Sequence, residues 1–265
     1  MRVAFFTSDR SFRNEVFRYM YAHVAHACGG AQVVAVRRPG RPPGGPLGRA
    51  KKKLRAGAGL LGTLELAASY PLQRTLGRRN DRLALEAVGA LPRPPAEPRP
   101  EEALYVEAVN GPDAAAALEG LAPDAVVQFD AGILRPRIFR IPPLGTLNLH
   151  PGIAPLIRGR DPIYWALWER EPGWLGATIH YIDAGIDTGP VLAYAPVEPA
   201  PGDDYPRLFA RVYEAGVAQL VSVLDRLGEG ERWSVEPARG RSVYRTTFPG
   251  WRLALLRGAP VPAPG

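Results

Sequence analysis

Apolar residues alternate along the chain between short unbroken runs and helical spacing. Arg2–Thr7 is a run of the kind a buried strand needs, and Phe12–Ala27 places Val16, Met20 and Val24 at i, i+4 and i+8, the spacing of a helix. Gln32–Val36 reads as a second strand. Lys51–Leu76 reads as mostly helical, with Leu61, Leu64, Leu66 and Leu72 seeking a partner surface, and Asp81–Val88 as a further turn or two. From there the alternation is regular. Leu104–Val109, Ala125–Phe129, Thr146–His150, Ala177–Ile182 and Val191–Pro196 are expected strands; Asp113–Leu118, Asp161–Arg170 and Asp203–Leu227 are expected helices. Asp203 or Asp204 would cap the last of these, with Pro206 in its first turn. Ala125–Phe129 is almost free of polar residues, as a strand covered on both faces requires. The expected architecture is α/β: a mostly parallel twisted sheet flanked by helices.

Breakers mark what lies outside this alternation. Pro39–Pro46 and Leu91–Pro100 are too rich in proline to hold a helix or a ladder, and the chain has 29 Pro and 29 Gly in 265 residues. We expect one domain over 1–230 with a basic, Pro/Gly-rich excursion at about 37–100, then a short extension over 231–265. That tail has apolar pieces at Val243-Tyr244 and Trp251–Leu256 and is too short for its own core. With 46% hydrophobic and 22% charged residues, general disorder, a collagen-like chain and a disulfide-stapled miniprotein are excluded. Cys28 is the single cysteine and suits a reducing compartment. The apolar stretch Val3–Phe6 lacks the form of a signal peptide. The longest run free of Asp, Glu, Lys and Arg, Ile141–Ile157, is too short and too broken to span a bilayer. A cytoplasmic protein with no membrane span is expected.

Net charge is +7, concentrated between Arg37 and Arg79, where eleven Arg or Lys face only Glu65; the rest of the chain is net acidic. Such a stretch can be a solvated face, can hold a phosphorylated substrate, or can touch nucleic acid. No aromatic residues interleave it as a single-strand platform would require, which argues against nucleic acid.

Polar residues interrupt the apolar strands at two places. In Gly145-Thr146-Leu147-Asn148-Leu149-His150-Pro151-Gly152, strand alternation puts Asn148 and His150 on one side, about 6.6 Å apart, at the end of a strand where open α/β sheets place ligands. A histidine bonded to a backbone carbonyl and an asparagine closing a turn would give the same pattern. In the second place, His180 to Pro190, Asp187 is suited to orient an imidazole or take a proton, and Asp183 to cap the turn. His150, His180 and an acid suggest zinc, but no tight ligand spacing accompanies them and no metal is expected. Arg158 suits a carboxylate or phosphate, or simply solvent. Phe6-Thr7-Ser8-Asp9-Arg10-Ser11-Phe12 follows the first strand where a dinucleotide fold would carry GxGxxG, and no GxSxG is present.

Asn148-Leu149-His150-Pro151-Gly152-Ile153-Ala154-Pro155-Leu156-Ile157-Arg158-Gly159, followed by Asp187-Thr188-Gly189-Pro190, resembles the folate-dependent formyltransferases. That family acts on glycinamide ribonucleotide, methionyl-tRNA and amino sugars, and the resemblance covers roughly residues 103–228. The wording around Tyr181–Gly189 is most like the sugar members. The resemblance implies a Rossmann-like formyltransferase fold and 10-formyltetrahydrofolate as formyl donor. It implies catalytic roles for Asn148, His150 and Asp187. Phe129, Gly132, Ile133 and Leu134 would line the pterin pocket, and Ile182, Asp183 and Gly185 would lie in the loop closing over it. A primary amine would attack the formyl carbon, Asn148 and His150 would donate to the developing oxyanion, and Asp187 would favour His150 as imidazolium and relay the proton.

Departures narrow the acceptor. The family's serine after the histidine is here Gly152, and the pair before Arg158 is reduced to Leu156-Ile157. The loop with Ser8 and Arg10 lacks the Gly/Ser-rich phosphate site of ribonucleotide-type members, so a purine-pathway role is not expected. Only a short stretch follows the last long helix, against the separate C-terminal domain of tRNA-type members. Ser8, Arg10 and Arg158 are the candidate acceptor contacts. The expected acceptor is a small or carrier-linked amine of phosphorylated, amino-sugar-nucleotide type. The alternatives are an aminoacyl-tRNA or carrier-bound aminoacyl group, or a non-catalytic basic module binding RNA or another anion. A homodimer is compatible with the apolar tail.

Overall fold

The computed structural model describes residues 1–37, 73–249, 252–253 and 256. Its strands are β1 (Val3–Ser8), β2 (Gln32–Val36), β3 (Leu104–Val106), β4 (Ala125–Phe129), β5 (Thr146–His150), β6 (Ile157–Gly159), β7 (Gly176–Tyr181), β8 (Val191–Pro196) and β9 (Val243–Arg245). Its α-helices are α1 (Glu15–Cys28), α2 (Arg78–Gly89), α3 (Pro112–Leu121), α4 (Pro136–Phe139), α5 (Pro162–Glu169) and α6 (Tyr205–Gly228). Seven strands form one sheet in the order β3-β2-β1-β4-β5-β7-β8. β1 to β5 run parallel, as expected; β7 is antiparallel to β5, and β8 to β7.

Local chemistry explains most boundaries. The first helix begins at Glu15 rather than Phe12 because Asn14 is extended and its side chain accepts from the Val16 N–H at 2.9 Å, while a short 3₁₀ turn takes up Asp9–Arg13. Gly29, left-handed at φ +70°, ends it. In α6 the cap is Asp204, which accepts from the Arg207 N–H at 3.0 Å, and Pro206 lies in the first turn. The expected helix over Lys51–Leu76 lies mostly outside the described residues, as does Trp251. The tail does more than the sequence suggested: β9 pairs in parallel with β6 in a small second sheet, and Leu253 is buried in the main core.

The core sits on both faces of the sheet. On one face Phe5, Phe17, Leu147 and Ile179 meet α1 and α6; on the other Phe6, Val126, Leu118 and Ile138 meet α3 and α4. The Phe5 and Phe17 rings pack edge to face at 5.4 Å. Where α6 crosses the sheet, Gly216 is the contact point: a Cβ there would lie 2.7 Å from the Ala177 Cβ and 3.1 Å from a Leu149 methyl.

Helix propensity alone makes Gly216→Ala stabilising by about 1 kcal/mol. The close approach reverses the sign: the added methyl meets a Cβ that cannot swing away, and overpacking costs about 1–3 kcal/mol. Urea unfolding of Gly216→Ala is therefore expected to show a net loss, and a gain in stability contradicts this packing.

Candidate active site

The register of three strands builds the floor of the site. Gln128 on β4 is the parallel partner of Asn148 on β5, and Asn148 is the antiparallel partner of His180 on β7, so these side chains form one row across the sheet. His180 Nδ1 lies 2.8 Å from the Tyr181 carbonyl oxygen, which only accepts, so Nδ1 carries a hydrogen. His180 Nε2 lies 3.2 Å from Asn148 Nδ2 and takes one amide hydrogen. This bond sets which way the Asn148 amide points and leaves its second N–H for a ligand. The backbone beyond β5 is pinned by the buried Thr178, whose hydroxyl donates to the Gly152 carbonyl at 2.6 Å and accepts from the Ala154 N–H at 2.9 Å.

Asp187 arrives from the loop between β7 and β8. Within that loop Asp183 accepts from the Gly185 N–H at 2.9 Å and from the Thr188 hydroxyl at 2.8 Å, so it closes the turn. Gly189 lies so close to the Tyr181 carbonyl oxygen that a Cβ would collide with it. Asp187 itself is left-handed at φ +51°, a conformation costly for a non-glycine residue and often found at functional sites. Its Oδ2 accepts from the Gly159 N–H at 2.8 Å and stands 3.5 Å from His150 Nδ1; its Oδ1 stands 3.7 Å from His180 Nε2. Asn148, His150 and Asp187 are thus brought together, with His180 completing the group.

Electrostatics correct one expectation. His150 is buried, with its Nε2 3.0 Å from the Ile157 carbonyl oxygen. Burial pulls its pKa below the ordinary imidazole value and outweighs the attraction of Asp187, so the resting ring is neutral instead of an imidazolium. Nε2 then donates to Ile157, and the Nδ1 lone pair faces the carboxylate. For Asp187 burial pushes upward, but the Gly159 N–H and the two neighbouring imidazoles, which favour the carboxylate whenever they carry a proton toward it, prevail and hold the carboxyl at about 2.

This group opens on a cleft of about 390 Å³. Asn148, His180 and Asp187 line it, and His150 stands behind them. Gly132, Ile133, Leu134, Ile182, Asp183 and Gly185 also line it. Phe129 does not. Strand alternation turns it to the opposite face, where it packs on Phe17 at 5.6 Å between ring centroids, and Gln128 takes its place. Ser8 and Arg10 are also absent from the lining. Ser8 is buried and donates to Asp130 at 3.1 Å, and Arg10 is exposed in the 3₁₀ turn. Arg158 reaches the Ile186 carbonyl at a long 3.5 Å, while Arg160, which sequence reasoning passed over, lines the cleft. Six large apolar side chains are exposed among the described residues, and three of them, Ile133, Ile186 and Tyr244, rim this cleft. No group of three or more His, Cys, Asp or Glu suited to a metal occurs among the described residues, and no helix there is long and apolar enough to cross a membrane.

The formyl transferase family model matches residues 86–224, and the chain belongs to that family. Its curated relatives include the methionyl-tRNA formyltransferase of Chloroflexus aggregans, 39% identical over 129 residues, which are 48% of this chain and 41% of that protein. The enzyme of that name from Koribacter versatilis is 38% identical over 122 residues, 46% of this chain and 39% of its own. The matched stretch therefore spans about two fifths of those relatives' length. Two solved structures share the fold. A 4-N formyltransferase from Francisella tularensis superposes with a TM-score of 0.55 at 14% identity, covering 92% of this chain and 76% of that one. A sugar N-formyltransferase from Shewanella gives 0.53 at 15%, covering 93% and 77%.

The pKa directions fix a pH dependence of stability. Asp187 is lowered from 3.8 to about 2, so its contribution is complete above pH 4 and fades as pH falls toward 2. His150 is lowered from 6.5, so the unfolded chain takes up that proton first and stability also falls as pH drops below 6.5. In urea titrations from pH 8 to pH 3, these two groups should begin to cost stability only below about pH 6.5, while Asp81 and Asp161, whose pKa values burial raises, act in the opposite direction. The advantage of wild type over Asp187→Asn should shrink below pH 4; a constant gap contradicts the pairing.

Proposed function

We propose that this protein transfers a formyl group from 10-formyltetrahydrofolate to a primary amine. The observation carrying the reading is the grouping of Asn148, His150, His180 and Asp187 at one end of a cleft whose rim exposes Ile133, Ile186 and Tyr244. A flat pterin fits such a cleft: apolar side chains would cover its faces, and the polar loops at 128–134 and 182–186 would meet its edges. When bound, the donor supplies a formyl carbon attached to a nitrogen that can leave.

The residues divide the remaining work. Asn148, its amide turned by His180, aims its free N–H at the oxygen on which negative charge develops. Asp187 is ionised at neutral pH and too weak a base to hold a proton, so it steadies the positive charge growing on the attacking amine. The neutral His150 accepts that proton at Nδ1 through a bridging water, becomes an imidazolium beside Asp187, and returns the proton to the departing nitrogen. No proton is gained or lost overall, and the nucleophile is the acceptor's own amine.

Of the acceptors the sequence raised, the phosphorylated amino sugar loses support because Ser8 and Arg10 stand away from the cleft. The similarity to methionyl-tRNA formyltransferases supports the aminoacyl alternative. A panel of primary amines incubated with 10-formyltetrahydrofolate, following release of tetrahydrofolate, tests the reaction itself. Asn148→Ala is expected to lower kcat by about 10²–10³. His180→Leu, which frees the amide to turn, should lower kcat by about 10–100-fold with the KM for the donor little changed. Wild-type kcat in both variants overturns the assignment.

A further inference from the structure

A second hollow of about 200 Å³ adjoins the cleft, and nothing in the proposed chemistry uses it. Gly159 and Arg160 line both spaces, so the wall between them is the turn whose Gly159 N–H holds Asp187. Pro151, the residue after His150, lines the second hollow as well. A group seated there has its attachment point beside the reacting residues.

The walls define the occupant. Tyr205, Phe209 and Tyr213 recur at i, i+4 and i+8 on α6, with neighbouring ring centroids 5.7 and 4.7 Å apart, and all three rings are only half-buried. Tyr164 stacks on Tyr205 at 3.7 Å with the planes 7° apart and stiffens the ladder from behind. Ile163 and Pro162 add to the apolar lining, and Asp161 is the one acid among the described lining residues. That carboxyl accepts from the Phe248 N–H at 2.8 Å, and burial raises its pKa. Among the described residues Arg160 is the one basic residue of the lining, and it stands where the two spaces meet. Among the described residues a phosphate here would have Arg160 alone to pair with, beside an acid and three aromatic rings. The hollow is also smaller than the roughly 300–1,000 Å³ of sites for drug-sized ligands.

We infer that the aromatic ladder of α6 forms the acceptor subsite, and that the acceptor carries its primary amine on one compact apolar or aromatic group, with a carbonyl or carboxylate facing Arg160. This rests on the formyl-transfer reading above and specifies its substrate. Seating such a group in the hollow brings its amine to Asp187, and burying one apolar side chain tightens binding by about tenfold or more.

Calorimetric titration of the full chain, saturated with 5-formyltetrahydrofolate as a stable donor analogue, tests this. Phenylalaninamide, phenylalanine and glucosamine 6-phosphate are compared. Either phenylalanine compound is expected to bind at least about tenfold tighter than the sugar phosphate. Tighter binding of the free acid assigns Arg160 a carboxylate, and tighter binding of the amide assigns it the carbonyl of a linked acceptor. Phe209→Ala should weaken the preferred compound by about tenfold or more and Phe209→Leu by less, with the affinity for the donor analogue unchanged. Equal or tighter binding of the sugar phosphate overturns the inference, as does an unchanged affinity in both Phe209 variants. If the analogue fails to bind while the apolar amine still binds in a Phe209-dependent way, the donor reading falls and the subsite assignment stands.

Discussion

One carboxylate organises the site. Asp187 lies on a loop joining two antiparallel strands, yet its partners are the Gly159 N–H from the end of β6, His150 from the end of β5 and His180 from β7. A charge placed among such neighbours, mostly out of water, is held by the Gly159 N–H and favours a proton on either imidazole beside it. The left-handed backbone at Asp187 and the close approach of Gly189 to Tyr181 hold the loop where those partners are. Loosening any of these contacts leaves a buried negative charge without compensation, so geometry and electrostatics enforce each other.

The imidazole rings take different parts in this arrangement. His180 is fixed by the Tyr181 carbonyl and works on its neighbour Asn148, turning an amide that would otherwise be free to flip. His150 has one nitrogen committed to Ile157 and the other facing the carboxylate, so it can change its charge without moving. In the proposed reaction one ring serves orientation and the other proton transfer.

Much of this was legible in the sequence. Ala125–Phe129, Thr146–His150 and Val191–Pro196 matched the observed strands because buried strands leave an unbroken apolar run, and Asn148, His150 and Asp187 stood out as polar breaks at strand ends. The rest depends on partners distant in the chain. Nothing local in Gly176–Tyr181 states that it runs against β5, so the pairing of His180 with Asn148 was hidden until the register was known. β6 and β9 have three residues each, too few for any period to show. Phe129 was misplaced because a resemblance carries a position along a strand without its face, and that strand presents Gln128 to the cleft instead.

The small sheet also orders events in time. β6 holds Arg158 and Gly159, and its partner β9 is encoded some eighty residues later, with Phe248 donating to Asp161 just beyond it. During synthesis the end of β6 that meets Asp187 waits for its neighbour, and the main core waits for Phe248 and Leu253 from the same tail. The main core and the contact to Asp187 are thus completed together, by residues encoded beyond α6.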